Sequence, residues 1–184
     1  MLCLMIIWTQ RKVTMEDKKY SEEFIAIVAD ITEHHEFQKL KNIIHHGNGL
    51  FSHSVAVGYY SFRVAKALGL DYVSISRAAI LHDFYLEAWQ ETKRDSKGVQ
   101  RIKDMHGFSH PKTALVNAKK YFELSEKQED MIVKHMFPLT PIPPANVGSW
   151  VVTIVDKVVA TQELAVARTQ PIRRIKNWFA RAEA

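Results

Sequence analysis

Residues 52–83 read SHSVAVGYYSFRVAKALGLDYVSISRAAILHD. The first half carries Ala56, Val57, Tyr60 and Val64 at helical spacing. Ser52 is a residue type that caps helix starts, and Gly69 is one that ends them, so a helix is predicted over about 52–68. The second half predicts another helix over about 72–82, with a pattern able to continue to Glu91. Each helix places ionisable side chains where its period places core. His53 shares a face with Ala56, Val57, Tyr60 and Val64, and His82-Asp83 follows directly on Ala78-Ala79-Ile80-Leu81.

Outward from this pair, the rest of the chain also reads as helices. Upstream, Phe24, Ile27, Val28 and Ile31 form an i, i+3, i+4, i+7 stripe within a helix over about 21–37. A second helix over about 37–46 stops at the breaker Gly47-Asn48-Gly49. Downstream, residues 93–108 are polar and read as a loop. Ser109 then precedes His110-Pro111, with proline in the first turn of a helix running to Phe122. Ser125-Glu126-Lys127-Gln128 matches a capping box and opens a helix that stops before Pro138. Four prolines forbid a helix over 138–148. Ser149 begins a long helix to about Thr169, and Pro171 opens a last, basic one over 171–183. No stretch alternates apolar and polar residues as a half-buried strand does. The expected fold is all-α, a compact orthogonal bundle of seven or eight helices in one domain, 15–184, preceded by an accessory extension, 1–14.

The 184 residues are 47% hydrophobic and 24% charged, which excludes a disordered or fibrous chain. The formal charge of +5 suggests a nucleic-acid binder until it is located. Residues 1–14 contribute +2 through Arg11 and Lys12. Residues 168–184 contribute +4 through Arg168, Arg173, Arg174, Lys176 and Arg181 against Glu183, and the body between comes to −1. Nucleic acid is therefore an unfavoured partner. The basic segment, with Ile172, Ile175, Trp178 and Phe179 at helical spacing, reads first as a helix docked on the bundle and second as a partner or dimer contact. The opening run MLCLMIIW is far short of the ~20 apolar residues that span a bilayer and lacks a basic n-region. A single cysteine, Cys3, excludes an internal disulfide framework and fits a reducing compartment. The expected location is cytoplasmic, without a membrane span.

Three further helices repeat the pattern of a charged or imidazole side chain on an apolar face. His110 leads to Ala114 and Leu115, His135 follows Met131 and Ile132 by one turn, and Asp156 lies between Val152 and Val159-Ala160. One buried histidine is ordinarily a satisfied core residue. A buried unpaired aspartate is costlier, because it must be compensated or neutralised. Four imidazoles and two carboxylates in one small core satisfy one another best through a divalent metal, and this donor set suits zinc, iron, manganese and similar ions.

The order His53-Ser54-Val55-Ala56, Ile80-Leu81-His82-Asp83, then Asp156-Lys157 resembles the HD superfamily of metal-dependent phosphohydrolases, defined by a His, a His-Asp doublet and a distant Asp. The resemblance covers about residues 40–165. In two-metal members, extra histidines lie between the doublet and the last Asp. His110, in Gly107-Phe108-Ser109-His110-Pro111, and His135, in Ile132-Val133-Lys134-His135, stand in those places. The resemblance thus implies a metal shell of His53, His82, Asp83, His110, His135 and Asp156 around two divalent transition-metal ions: iron, manganese, zinc or cobalt. Six ligands are too many for one ion with open positions, but they serve two ions sharing a bridge. Adjacent helical residues project about 100° apart, so His82 can serve one ion while Asp83 bridges both.

The implied reaction is hydrolysis of a phosphoester or phosphoanhydride by a metal-bridging hydroxide. His106 and His46 are candidates for the leaving-group acid or for phosphate binding. Lys157 is a candidate partner of phosphate or of a ligand. Tyr85, with Phe84 and Trp89, is a candidate wall for base stacking, against the plainer reading of core packing. The sequence departs from better-known members. Leu86 stands where several carry lysine, and both the Gly-Tyr-Pro signature of the cyclic-di-GMP branch and the Glu-Asp pair of the guanosine-tetraphosphate branch are missing. A nucleotide or dinucleotide, such as a dinucleoside polyphosphate, is the implied substrate class. The alternatives are a non-catalytic regulatory module on the same fold that binds metal or nucleotide, and a nucleic-acid binder acting through the C-terminal helix.

Overall fold

Helix α1 spans Met15–Thr32 and buries Phe24, Val28 and Ile31, the stripe that the spacing predicts. The computed structural model describes residues 15–45, 48–85 and 106–166. The extension 1–14, His46, residues 86–105 and the basic segment 171–183 lie outside the described residues. α1 starts six residues before Ser21, with Glu16 and Asp17 in its first turn, where negative charge favours a helix start.

The expected helix over 37–46 is much shorter. A single turn, α2 (His35–Gln38), continues as a 3-10 turn over Lys39–Asn42. The chain then becomes extended at Ile43 and forms the two-residue strands β1 (Ile44–His45) and β2 (Asn48–Gly49), paired antiparallel. The β-branched pair Ile43-Ile44 favours this extended backbone over a helix.

Helix α3 spans Leu50–Ala67 and begins after Gly49, so Ser52 lies inside it and does not cap it. The run 53–59 is buried without interruption, as in a helix surrounded by others. Val64, placed on the inner face by spacing, is exposed. Gly69 takes φ 65°, and the Leu70 N–H returns to the Ala65 carbonyl at 2.9 Å, closing α3 with the left-handed turn that glycine permits.

Helix α4 spans Tyr72–Leu81, capped by Asp71, whose carboxylate accepts from the Ser74 N–H at 3.0 Å. Helix α5, His106–Tyr121, begins earlier than Ser109. The loop reading therefore fails for 106–108, and Pro111 lies inside the helix, at the cost of the hydrogen bond its missing N–H would give. Helix α6, Glu126–Lys134, carries the expected capping box between Ser125 and Gln128.

Helix α7, Val147–Val166, starts two residues before Ser149, because the Asn146 side chain accepts from the Ser149 N–H at 2.9 Å. Asp130 of α6 accepts from the Ala145 N–H, the Asn146 amide and the Ser149 hydroxyl. That staple fixes the start of α7 against α6. The fold is all-α, with seven α-helices among the described residues, and none of them is long and apolar enough to cross a membrane.

Gly58 on α3 is where three helices meet. A Cβ there would lie 3.2 Å from Phe24 Cζ and 3.3 Å from Ile80 Cβ. Gly58→Val is expected to lower stability by about 1–3 kcal/mol through overpacking, read as a lower urea midpoint at unchanged slope.

Candidate metal centre

The six expected ligands arrive from five helices. α3 carries His53, α5 carries His110, and α7 carries Asp156. His82 and His135 are the cap residues just beyond α4 and α6, and Asp83 follows His82. The cap position explains how both rings are held. A helix ends with carbonyls that lack partners within the helix. His82 Nδ1 donates to the Ala79 carbonyl at 2.7 Å, and His135 Nδ1 donates to the Ile132 carbonyl at 2.7 Å. A carbonyl oxygen only accepts, so each Nδ1 must carry the proton. The neutral ring then presents a bare Nε2 lone pair. His53 is held likewise, with Nδ1 2.9 Å from Glu163 Oε2.

These Nε2 atoms converge on two carboxylates. Asp156 Oδ1 is 3.2 Å from His53 Nε2 and 3.5 Å from His82 Nε2. Asp83 spans the cluster. Its Oδ2 lies 3.5 Å from His82 Nε2 and 4.0 Å from His53 Nε2, while its Oδ1 lies 3.4 Å from both His110 Nε2 and His135 Nε2. The His110 and His135 Nε2 atoms are 3.2 Å apart. All but His110 are buried, and the His110 side chain is 13% exposed.

Bare lone pairs facing carboxylates in a buried site repel unless a proton or a metal cation lies between them. Among the described residues, His82 Nε2 and Asp83 Oδ1 are buried without a hydrogen-bond partner, an arrangement that ordinarily costs stability. Two donors bound at about 2.1 Å to one ion are about 3.0 Å apart in an octahedron and about 3.4 Å apart in a tetrahedron, close to the spacings found here. Among the described residues, three overlapping groups could hold a metal ion: His53–His82–Asp83, His82–His135–Asp156 and Asp83–His110–His135, each with ligand atoms within 4.8 Å of one another. The donors present fit a divalent metal.

Family models, curated proteins and solved structures yield no match to this chain.

Without metal, protons take over the compensation. Burial opposes a charged His53, but the hydrogen bonds to Asp156 and Glu163 outweigh it and raise its pKa to about 10. Burial also opposes ionised Asp83 and Asp156. The His82, His135 and His110 imidazoles around Asp83, and the His53 hydrogen bond to Asp156 with the His82 imidazole beside it, hold both carboxyls well below the usual range. The Tyr85 hydroxyl is pushed up by burial and by the Asp83 charge.

Of the other candidates, Lys157 Nζ contacts Asp156 Oδ2 at 2.8 Å and the His135 carbonyl at 3.0 Å, so it braces two candidate ligands from the edge of the site. The Tyr85 ring stands 5.7 Å from the His110 ring. Phe84 is fully buried against Phe37, Tyr121 and Phe122, which makes it core. His106 opens α5, but its side chain, like His46 and Trp89 as a whole, lies outside the described residues. Glu163 joins the site without any sequence motif that marks it. It follows Asp156 by seven residues, two helical turns, on the face that also carries Val152 and Val159. That period was the available signal.

Proposed function

We propose that this chain is a metal-dependent phosphohydrolase of the HD kind, acting on a nucleotide or dinucleotide. What carries the reading is Asp83, whose two oxygens face two different sets of imidazoles. A carboxylate so placed suits a bridge between two divalent ions, one held by His53, His82 and Asp156 and the other by His110 and His135. Ions bound there would supply a hydroxide nucleophile near neutral pH and positive charge for phosphate oxygens.

The chain's own residues supply the rest of the scheme. The carbonyl and carboxylate partners of Nδ1 keep the Nε2 atoms of His53, His82 and His135 aimed inward. Lys157, at the edge, holds Asp156 in place and leaves its partly exposed ammonium near any anion that enters. Tyr85 walls the His110 side with an aromatic face suited to a base or ribose.

The test is phosphate release from a panel of nucleotides and dinucleoside polyphosphates by protein loaded with Mn2+, Fe2+, Zn2+ or Co2+. Turnover is expected with at least one metal and none after chelation. Metal bound without turnover on any substrate would replace this reading with a non-catalytic metal-binding module.

A further inference from the structure

Glu163 is a buried charge that the ligand set does not include. Its side chain is fully buried on α7. Oε2 accepts from His53 Nδ1 at 2.9 Å, while Oε1 is buried without a hydrogen-bond partner among the described residues. A carboxylate kept in the core with one oxygen unsatisfied is costly, and a hydrophobic side chain of similar size would avoid that cost. The contact with His53 is what its charge serves.

The three anchored imidazoles differ in their anchors. His82 and His135 donate to neutral carbonyls, whereas His53 donates to a carboxylate. A hydrogen bond to a charged acceptor is roughly twice as strong as one to a neutral acceptor, and it pushes electron density toward Nε2. The two halves of the cluster therefore differ in charge. Asp156 Oδ1 and Asp83 Oδ2 face His53 and His82, with Glu163 behind them. On the other half, Asp83 Oδ1 faces His110 and His135. Burial differs in the same sense, since the His53 side chain is 1% exposed and that of His110 is 13% exposed.

We propose that Glu163 is a positioning residue that makes the His53–His82–Asp156 position hold its divalent ion tightly, leaving the Asp83–His110–His135 position as the exchangeable one. The proposal rests on the metal-binding reading of this site. It assigns the two positions different jobs: a resident ion that completes the core, and a second ion that enters and leaves on the His110 side.

Calorimetric titration of metal-free full-length protein with Zn2+, competed by a chelator of known affinity, tests it. Wild type is expected to show two binding events at least about tenfold apart. His110→Ala should remove the weaker event and keep the tighter one. Glu163→Gln keeps an acceptor for His53 but removes the charge. It should weaken the tighter event by about 10–100-fold and leave the weaker one nearly unchanged. Glu163→Asp keeps the charge and should retain more affinity than the glutamine variant. Leu164→Ala, at a 60% exposed neighbour, should change neither event. Where a metal-free variant does not fold by circular dichroism, the metal-loaded variant is dialysed and the Zn2+ retained per chain gives the same comparison. Equal weakening of both events by Glu163→Gln, or no weakening, overturns the role of Glu163. Wild-type protein that binds no Zn2+ overturns the metal-centre reading itself.

Discussion

On the proposed hydrolase reading, asparagine at position 83 is expected to lower phosphate release at least about a thousandfold, a loss of about 4 kcal/mol in transition-state stabilisation, and to leave at most one ion bound per chain. The size of the effect follows from the position of Asp83. Its Oδ2 faces His82 and His53, and its Oδ1 faces His110 and His135, so one residue serves both halves of the cluster. Asparagine keeps the shape and one oxygen but removes the charge and replaces the other oxygen with an N–H donor. An N–H cannot ligate a metal, yet it can donate to a bare Nε2 lone pair nearby. The metal-free variant is therefore expected to keep its fold, although it loses the carboxylate's contribution at neutral pH. Its gain in melting temperature on adding metal should shrink sharply. Metal analysis and thermal melts with and without Zn2+ separate loss of function from loss of fold. Two ions per chain and wild-type turnover in Asp83→Asn would defeat the bridging role.

The candidate ligands are legible in the sequence because each breaks a strong local pattern. His53 interrupts an apolar helix face, His82-Asp83 ends an apolar run, and Asp156 sits among valines. In each case burial follows from period, and burial of a polar group demands a partner. What period does not carry is which partner. The Nδ1 anchors of His82 and His135 depend on both residues being helix caps, and helix ends are set by competing local contacts. The same competition moved several boundaries. α7 starts at Val147 because Asn146 and Asp130 cap and staple it, whereas spacing alone favoured Ser149. The helix over 37–46 gave way to paired strands because two β-branched residues precede the glycines. Glu163 was legible in principle from its period with Asp156, but a glutamate near a helix end ordinarily reads as a solvated surface residue. Only the His53 contact, across 110 residues of chain, distinguishes it.

Metal-free protein is expected to lose stability from pH 6 to pH 9, while the melting-temperature gain from metal grows over the same range. His53 controls the first effect. Its pKa rises from an ordinary 6.5 to about 10 in the folded metal-free protein, held there by Asp156 and Glu163. A group raised on folding contributes stability that is complete below the unfolded value and is lost as pH climbs toward the folded one. The window of loss is therefore about pH 6.5 to 10. Asp83 and Asp156 act in the opposite sense, because their carboxyls are held well below 3.8. Their contribution is complete above the ordinary carboxylate range and disappears only in acid, so it is flat from pH 6 to 9. The second effect is competition. A divalent ion bound to His53 Nε2 displaces the proton that compensates the site in its absence, so affinity rises with pH. At about a thousand times Kd the ion adds about 4.1 kcal/mol, and at about 2–4 °C per kcal/mol for a chain of this size the gain is roughly 8–16 °C. Thermal melts at pH 6, 7.5 and 9, with Zn2+ and with chelator, read both effects at once. A metal-dependent gain that stayed constant across this range would show that no buried proton leaves when the ion binds, and that His53 does not stand where the ion sits.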